Sequence, residues 1–160
     1  MEFEFRQVDG SFPGMQFAMQ LISEVGGVAR CIGSAFSVAP GLALTAAHVV
    51  DDYLGKGYDS RKAGGPPLIA LQLFEGKMLQ WVVDAIYGSV AFDVAFLRFL
   101  RPNWWGTEPG QLNPRCARLN FNPPSLGDEL RMFGFPLSHV NESVLYSSPS
   151  VAFAKFRAST

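Results

Sequence analysis

Cysteine is scarce in this chain, with only Cys31 and Cys116 among 160 residues. Two thiols exclude a disulfide framework, and structural thiols in a reducing compartment are the simpler expectation. Charge is also scarce. Lys, Arg, Asp and Glu together make up 17% of the residues, below the usual quarter, and the net charge is −1. A balance this close to zero provides no electrostatic pull toward a phosphate backbone or an anionic lipid surface, so neither nucleic acid nor membrane is an expected partner. The opening residues Met1-Glu-Phe-Glu-Phe-Arg are acidic where an export signal would be basic and then apolar. That leans the expectation toward an intracellular setting without fixing a compartment.

From Cys31 to Val50 there is no Asp, Glu, Lys or Arg. The run is long enough for a membrane-spanning helix. However, Pro40-Gly41 lies in its middle, and Ser34, Ser37, Thr45 and His48 interrupt its apolar face. Two strands joined by a turn account for those residues better than a helix does.

What is abundant points the same way. The chain has 16 Gly, 11 Pro and 14 Phe, a composition of short strands and turns rather than long helices. Met15 to Ile22 alternates loosely and ends at Gly26-Gly27. Val28 to Ala39 and Leu42 to Thr45 read as a strand pair around Pro40-Gly41. Ala46 to Tyr53 reads as one or two helical turns with Thr45 as the cap. Lys56 to Pro67 reads as a surface loop. Leu68 to Phe74 and Met78 to Tyr87 read as strands around Glu75-Gly76. Val94 to Leu100 is almost wholly apolar, as in a strand buried on both faces. Such spacing predicts an all-β sandwich or barrel.

Two strings carry the chemistry. Gly33-Ser-Ala-Phe-Ser-Val-Ala-Pro-Gly-Leu-Ala-Leu-Thr-Ala-Ala-His48 places a histidine just after the strand pair, and Ala91-Phe-Asp93-Val-Ala-Phe-Leu97 follows downstream. Together they resemble the histidine and aspartate segments of the trypsin-like (chymotrypsin-fold) serine peptidase family. The resemblance runs from about Phe12 to Pro136. It implies a first β-barrel over 12–100 carrying His48 and Asp93, a crossover linker over 101–127 around Trp104-Trp105, and a partial second barrel over 128–160. Its first strand there would be Asp128 to Pro136, its next Val144 to Phe156, leaving an edge without a partner. His48 would be the general base, its ring held by a buried Asp93. An unperturbed pKa of about 6.5 suits histidine to that work. In many secreted members a cysteine near the position of Cys31 pairs with one directly after the histidine. Val49 stands there in this chain.

The nucleophile segment Gly-Asp-Ser-Gly-Gly occurs nowhere in these residues. The serines after Asp93, from Ser125 to Ser159, lie outside any Gly-rich turn able to build an oxyanion hole. Cys116, in Pro114-Arg-Cys116-Ala-Arg, also lacks such glycines and reads as a structural thiol. His139 reads as a surface loop residue, and Asp51 and Asp52 as solvated residues at a helix end, so neither metal nor cofactor is expected. The resemblance therefore implies a serine-type endopeptidase present without its nucleophile and inactive alone. Alternatives are a non-catalytic protein-binding module, or a half-enzyme completed by a second chain. The expected partner is a polypeptide substrate or that completing chain.

Overall fold

A computed structural model of the chain describes residues 4–7, 12–25, 28–54, 68–74, 77–99, 116–125, 127–135 and 150–155. The surface loop expected over 56–67, the turns at Gly26-Gly27 and Glu75-Gly76, Trp104-Trp105 and His139 lie outside them. Nine strands are described: β1 (Glu4–Gln7), β2 (Ala18–Val25), β3 (Val28–Ala39), β4 (Leu42–Thr45), β5 (Ile69–Phe74), β6 (Lys77–Ser89), β7 (Val94–Phe99), β8 (Glu129–Gly134) and β9 (Ser150–Lys155). Six of them close an antiparallel barrel in the order β2-β3-β4-β7-β6-β5. The remaining three form a sheet in the order β1-β9-β8.

The barrel closes around its own side chains, as a barrel of few strands must. Met19 and Leu21 of β2, Ala35 of β3, Ala43 of β4, Val83 of β6 and Leu97 of β7 fill the interior. Trp81 packs its ring against Phe99, with centroids 5.6 Å apart, and its indole N–H donates to Gln72 at 3.0 Å. The Gln72 amide in turn donates to the Gln16 carbonyl at 2.7 Å, so the buried polar groups of Trp81 and Gln72 both have partners. Gly41 turns the chain between β3 and β4 with φ +75°, a conformation that costs glycine nothing.

A second cluster lies on the outside of β2, β3 and β5. Met15, Ala18, Ile22 and Cys31 are buried there against Phe135, which follows β8. The Phe135 N–H donates to Ser34 Oγ at 2.8 Å, which ties the later part of the chain to the barrel wall.

Several expectations need correction. The first barrel strand starts at Ala18, because Pro13–Gln16 forms a 3-10 turn instead. β7 is buried on one face only. Ala95, Leu97 and Phe99 point inward, while Phe96 and Arg98 are exposed, because its outer side meets no second layer among the described residues. Thr45 caps nothing. It ends β4, one residue before the cap position, which Ala46 occupies, and its hydroxyl donates to the Ser34 carbonyl at 2.7 Å instead. β9 gains a second partner: β1 pairs with it, Glu4 opposite Phe153 and Gln7 opposite Ser150, and the unpaired edges among the described residues of this sheet fall on β1 and β8.

Candidate active site

The chain after β4 makes a 3-10 turn, Ala47–Val50. Ala47 and Val50 are buried in the barrel core, so the turn is fastened from below and His48 is left to project outward. Asp93 comes from the neighbouring wall. It closes a second 3-10 turn, Val90–Phe92, and leads directly into β7. Its φ of 49° is left-handed, and among the described residues it is the only non-glycine with positive φ. Aspartate tolerates that region better than most residues, which suits it to a sharp exit from the turn.

The two side chains meet. His48 Nδ1 lies 3.0 Å from Asp93 Oδ1 and 2.9 Å from Oδ2. The backbone N–H of His48 also donates to Oδ1 at 3.0 Å, so one carboxylate orients both ring and backbone. These contacts hold the Asp93 carboxyl below its ordinary 3.8: chiefly the bond from the His48 backbone N–H, then the bond from its ring, with desolvation working the other way. Asp93 is therefore a carboxylate at neutral pH. An Nδ1–H donated to it leaves Nε2 as the ring's acceptor, the tautomer a general base needs.

The pair is open. The side chains of His48 and Asp93 are 73% and 54% exposed, whereas the resemblance implies a buried aspartate. Among the described residues no layer covers the rim of the barrel at this point. Exposure this large weakens the electrostatic side of the pairing by solvent screening and leaves orientation as its main effect.

Other candidates fall elsewhere. Cys116 Sγ meets Ser37 Oγ on β3 at 3.4 Å, and neither cysteine is in a disulfide. Ser125 is engaged in a tight turn with Asp128, its backbone N–H donating to Oδ2 at 2.7 Å. Ser138, Ser143, Ser147, Ser148 and Ser159 lie outside the described residues. Asp51 and Asp52 are exposed just after the histidine turn. Among the described residues no group of three or more His, Cys, Asp or Glu could hold a metal ion.

The architecture matches a known one. The solved structure of GrC (granzyme C, a trypsin-like serine protease) superposes with a TM-score of 0.57 over 94% of this chain, at 15% identity. The fold is chymotrypsin-like. The chain spans 63% of that structure's length. No family model matches the sequence, and no curated protein does either.

Within this chymotrypsin-like barrel, two glycines matter that sequence reasoning did not single out. A Cβ on Gly88 would meet the Val94 carbonyl oxygen at 2.8 Å and Ala95 Cβ at 3.0 Å, so its absence lets β6 lie close to β7 just beyond Asp93. A Cβ on Gly33 would meet Val49 Cγ1 at 2.5 Å, beside the histidine. Glycine inside a strand was the available signal for a close approach, although not for which neighbour approaches.

Proposed function

We propose that His48 and Asp93 are the general base and its orienting carboxylate in a serine-type endopeptidase of trypsin-like kind. The observation that carries this reading is the double engagement of Asp93 with the His48 ring and backbone, at 2.9–3.0 Å, on a chymotrypsin-like barrel. In this chemistry the histidine takes the proton from an attacking hydroxyl through Nε2 and returns it to the leaving amine, while the carboxylate holds the ring. Residues 12–100 would make the catalytic barrel, 101–127 a crossover, and 128–160 the start of a second barrel.

These 160 residues contain no Gly-Asp-Ser-Gly-Gly segment, so on this reading the hydroxyl and its oxyanion hole would be supplied by a longer product of the same reading frame or by a second chain. A fluorophosphonate probe tests this. The 160-residue chain alone is expected to stay unlabelled. The product extended along its native reading frame, or the chain mixed with its completing polypeptide, is expected to label on serine, and to lose that labelling by about 10²–10⁴-fold in rate with His48→Ala. Labelling of the isolated chain would refute the missing nucleophile. Labelling unaffected by His48→Ala would refute the general base. A barrel that never labels in any combination would be a binding module instead.

A further inference from the structure

The pairing of His48 with Asp93 requires a turn that does not swing, and only part of what holds that turn is the pair itself. β4 lies between β3 and β7 in the barrel, and the Ala47–Val50 turn continues from the end of β4. Asp93, at the start of β7, takes hold of His48 on one side. On the other side the turn touches β3, and among the contacts there Val49 lies directly against Gly33.

We propose that Val49 is a positioning residue for the His48–Asp93 pair, its forked side chain seated on the bare backbone of Gly33 so that the turn is tethered to β3 as well as to β7. The fit is close. A Cβ built on Gly33 would come 2.5 Å from Val49 Cγ1 and 3.0 Å from Cγ2, so the space that any other residue would fill is taken by the two methyl groups. Valine is suited to this role because branching at Cβ leaves it few rotamers, so its methyl groups stay where the backbone puts them. Val49 packs against the barrel core, and its neighbours Ala47 and Val50 are buried in it. Successive residues of the turn thus go to the core, to Asp93, to β3 and to the core again. Neither Cys31 nor Cys116 is in a disulfide, so packing rather than a disulfide holds the turn to β3.

This inference rests on His48 and Asp93 being the acid–base pair, but its test needs no turnover. The Asp93 side-chain carboxyl is followed by ¹³C NMR through an acid titration in the wild type, Gly33→Ala, Val49→Ala and the double variant, with thermal melting measured beside it. In each single variant the titration midpoint is expected to rise toward 3.8, because the carboxylate loses part of its hold on the His48 N–H groups. The double variant is expected to return toward the wild-type midpoint. There the Cβ added at position 33 meets the Cβ kept at position 49, at 3.4 Å, an ordinary contact, and the turn is held again. If Gly33→Ala does not fold, Val49→Ala and the double variant still give the comparison. Single variants that melt earlier yet keep the wild-type midpoint would overturn the proposal, since Val49 would then be stabilising only. A double variant no nearer the wild type than the single ones would overturn it too. Neither outcome depends on fluorophosphonate labelling, so failure of the peptidase reading and failure of the tether are separate results.

Discussion

Replacing Gly88 by alanine tests whether the β6–β7 approach sets the position of Asp93. The new Cβ would sit 2.8 Å from the Val94 carbonyl oxygen, 3.0 Å from Ala95 Cβ and 3.1 Å from Ala95 Cα. Gly88 is directly opposite Ala95 in the ladder, so these atoms are held by strand pairing and cannot swing aside. Carbon contacts are comfortable only from about 3.5 Å, so the strands must part by roughly half an ångström. Overpacking of this kind costs about 1–3 kcal/mol. For a chain of this length each kcal/mol lowers the melting temperature by about 2–4 °C, so a loss of about 2–12 °C is expected. Gly41→Ala is the control. Its φ is +75° and the nearest neighbour of a Cβ there, the Phe99 carbonyl oxygen, is 4.0 Å away, so it suffers only the left-handed penalty of about 1–2 kcal/mol. Thermal melts should fall in both variants. The Asp93 carboxyl and His48 ring resonances should move only in Gly88→Ala, because Asp93 immediately precedes Val94. A Gly88→Ala protein with wild-type melting and unmoved resonances would refute the steric argument.

The low pKa of Asp93 has a definite sign for stability. Because folding favours its ionised form, its contribution is fully present above the ordinary value of 3.8 and is lost as pH falls through the lower folded value. Urea midpoints measured from about pH 5 down to about pH 2 should therefore fall more steeply for the wild type than for Asp93→Asn, and parallel curves would contradict this. Arg98 donates to Asp84 Oδ2 from Nε at 2.8 Å, and the Asp84 side chain is only 4% exposed. Arg98→Ala should cost about 1–3 kcal/mol in urea unfolding by depriving a buried carboxylate of those bonds, and unchanged stability would count against it.

Local pattern made much of the barrel legible. The hairpin over 28–45 was readable because Pro40-Gly41 interrupts two apolar runs, and both strands end where that turn requires. The His48 and Asp93 strings were readable because the residue types and their neighbours together resemble a known active site. What local pattern does not carry is the identity of the partner across space. Thr45 has the composition of a cap, but the turn begins one residue later than the pattern suggests, with Ala46 at the cap position, and the Thr45 hydroxyl serves β3. Val94 to Leu100 is apolar enough for two buried faces, yet outside β7, unlike outside β2, β3 and β5, no second layer packs among the described residues. The strand expected to end at Tyr87 runs on to Ser89, since Gly88 is needed against Ala95. The exposure of Asp93 was likewise invisible, because it depends on what covers the rim rather than on the residue itself.

The pairing of β1 with β9 separates the order of synthesis from the order of assembly. Every ladder of the barrel joins residues lying between Ala18 and Phe99, whereas Glu4 must wait for Phe153. At about 5–20 residues per second, β1 leaves the ribosome on the order of ten seconds before β9 and stays without that neighbour for as long. Closing so long a loop adds little free energy beyond a shorter one, about 0.6 kcal/mol per doubling, but such distant contacts form late. The barrel can complete itself while β1 remains a loose strand carrying Glu4 and Arg6, charges that discourage it from joining a foreign sheet edge. A strand made before the barrel is therefore seated after it.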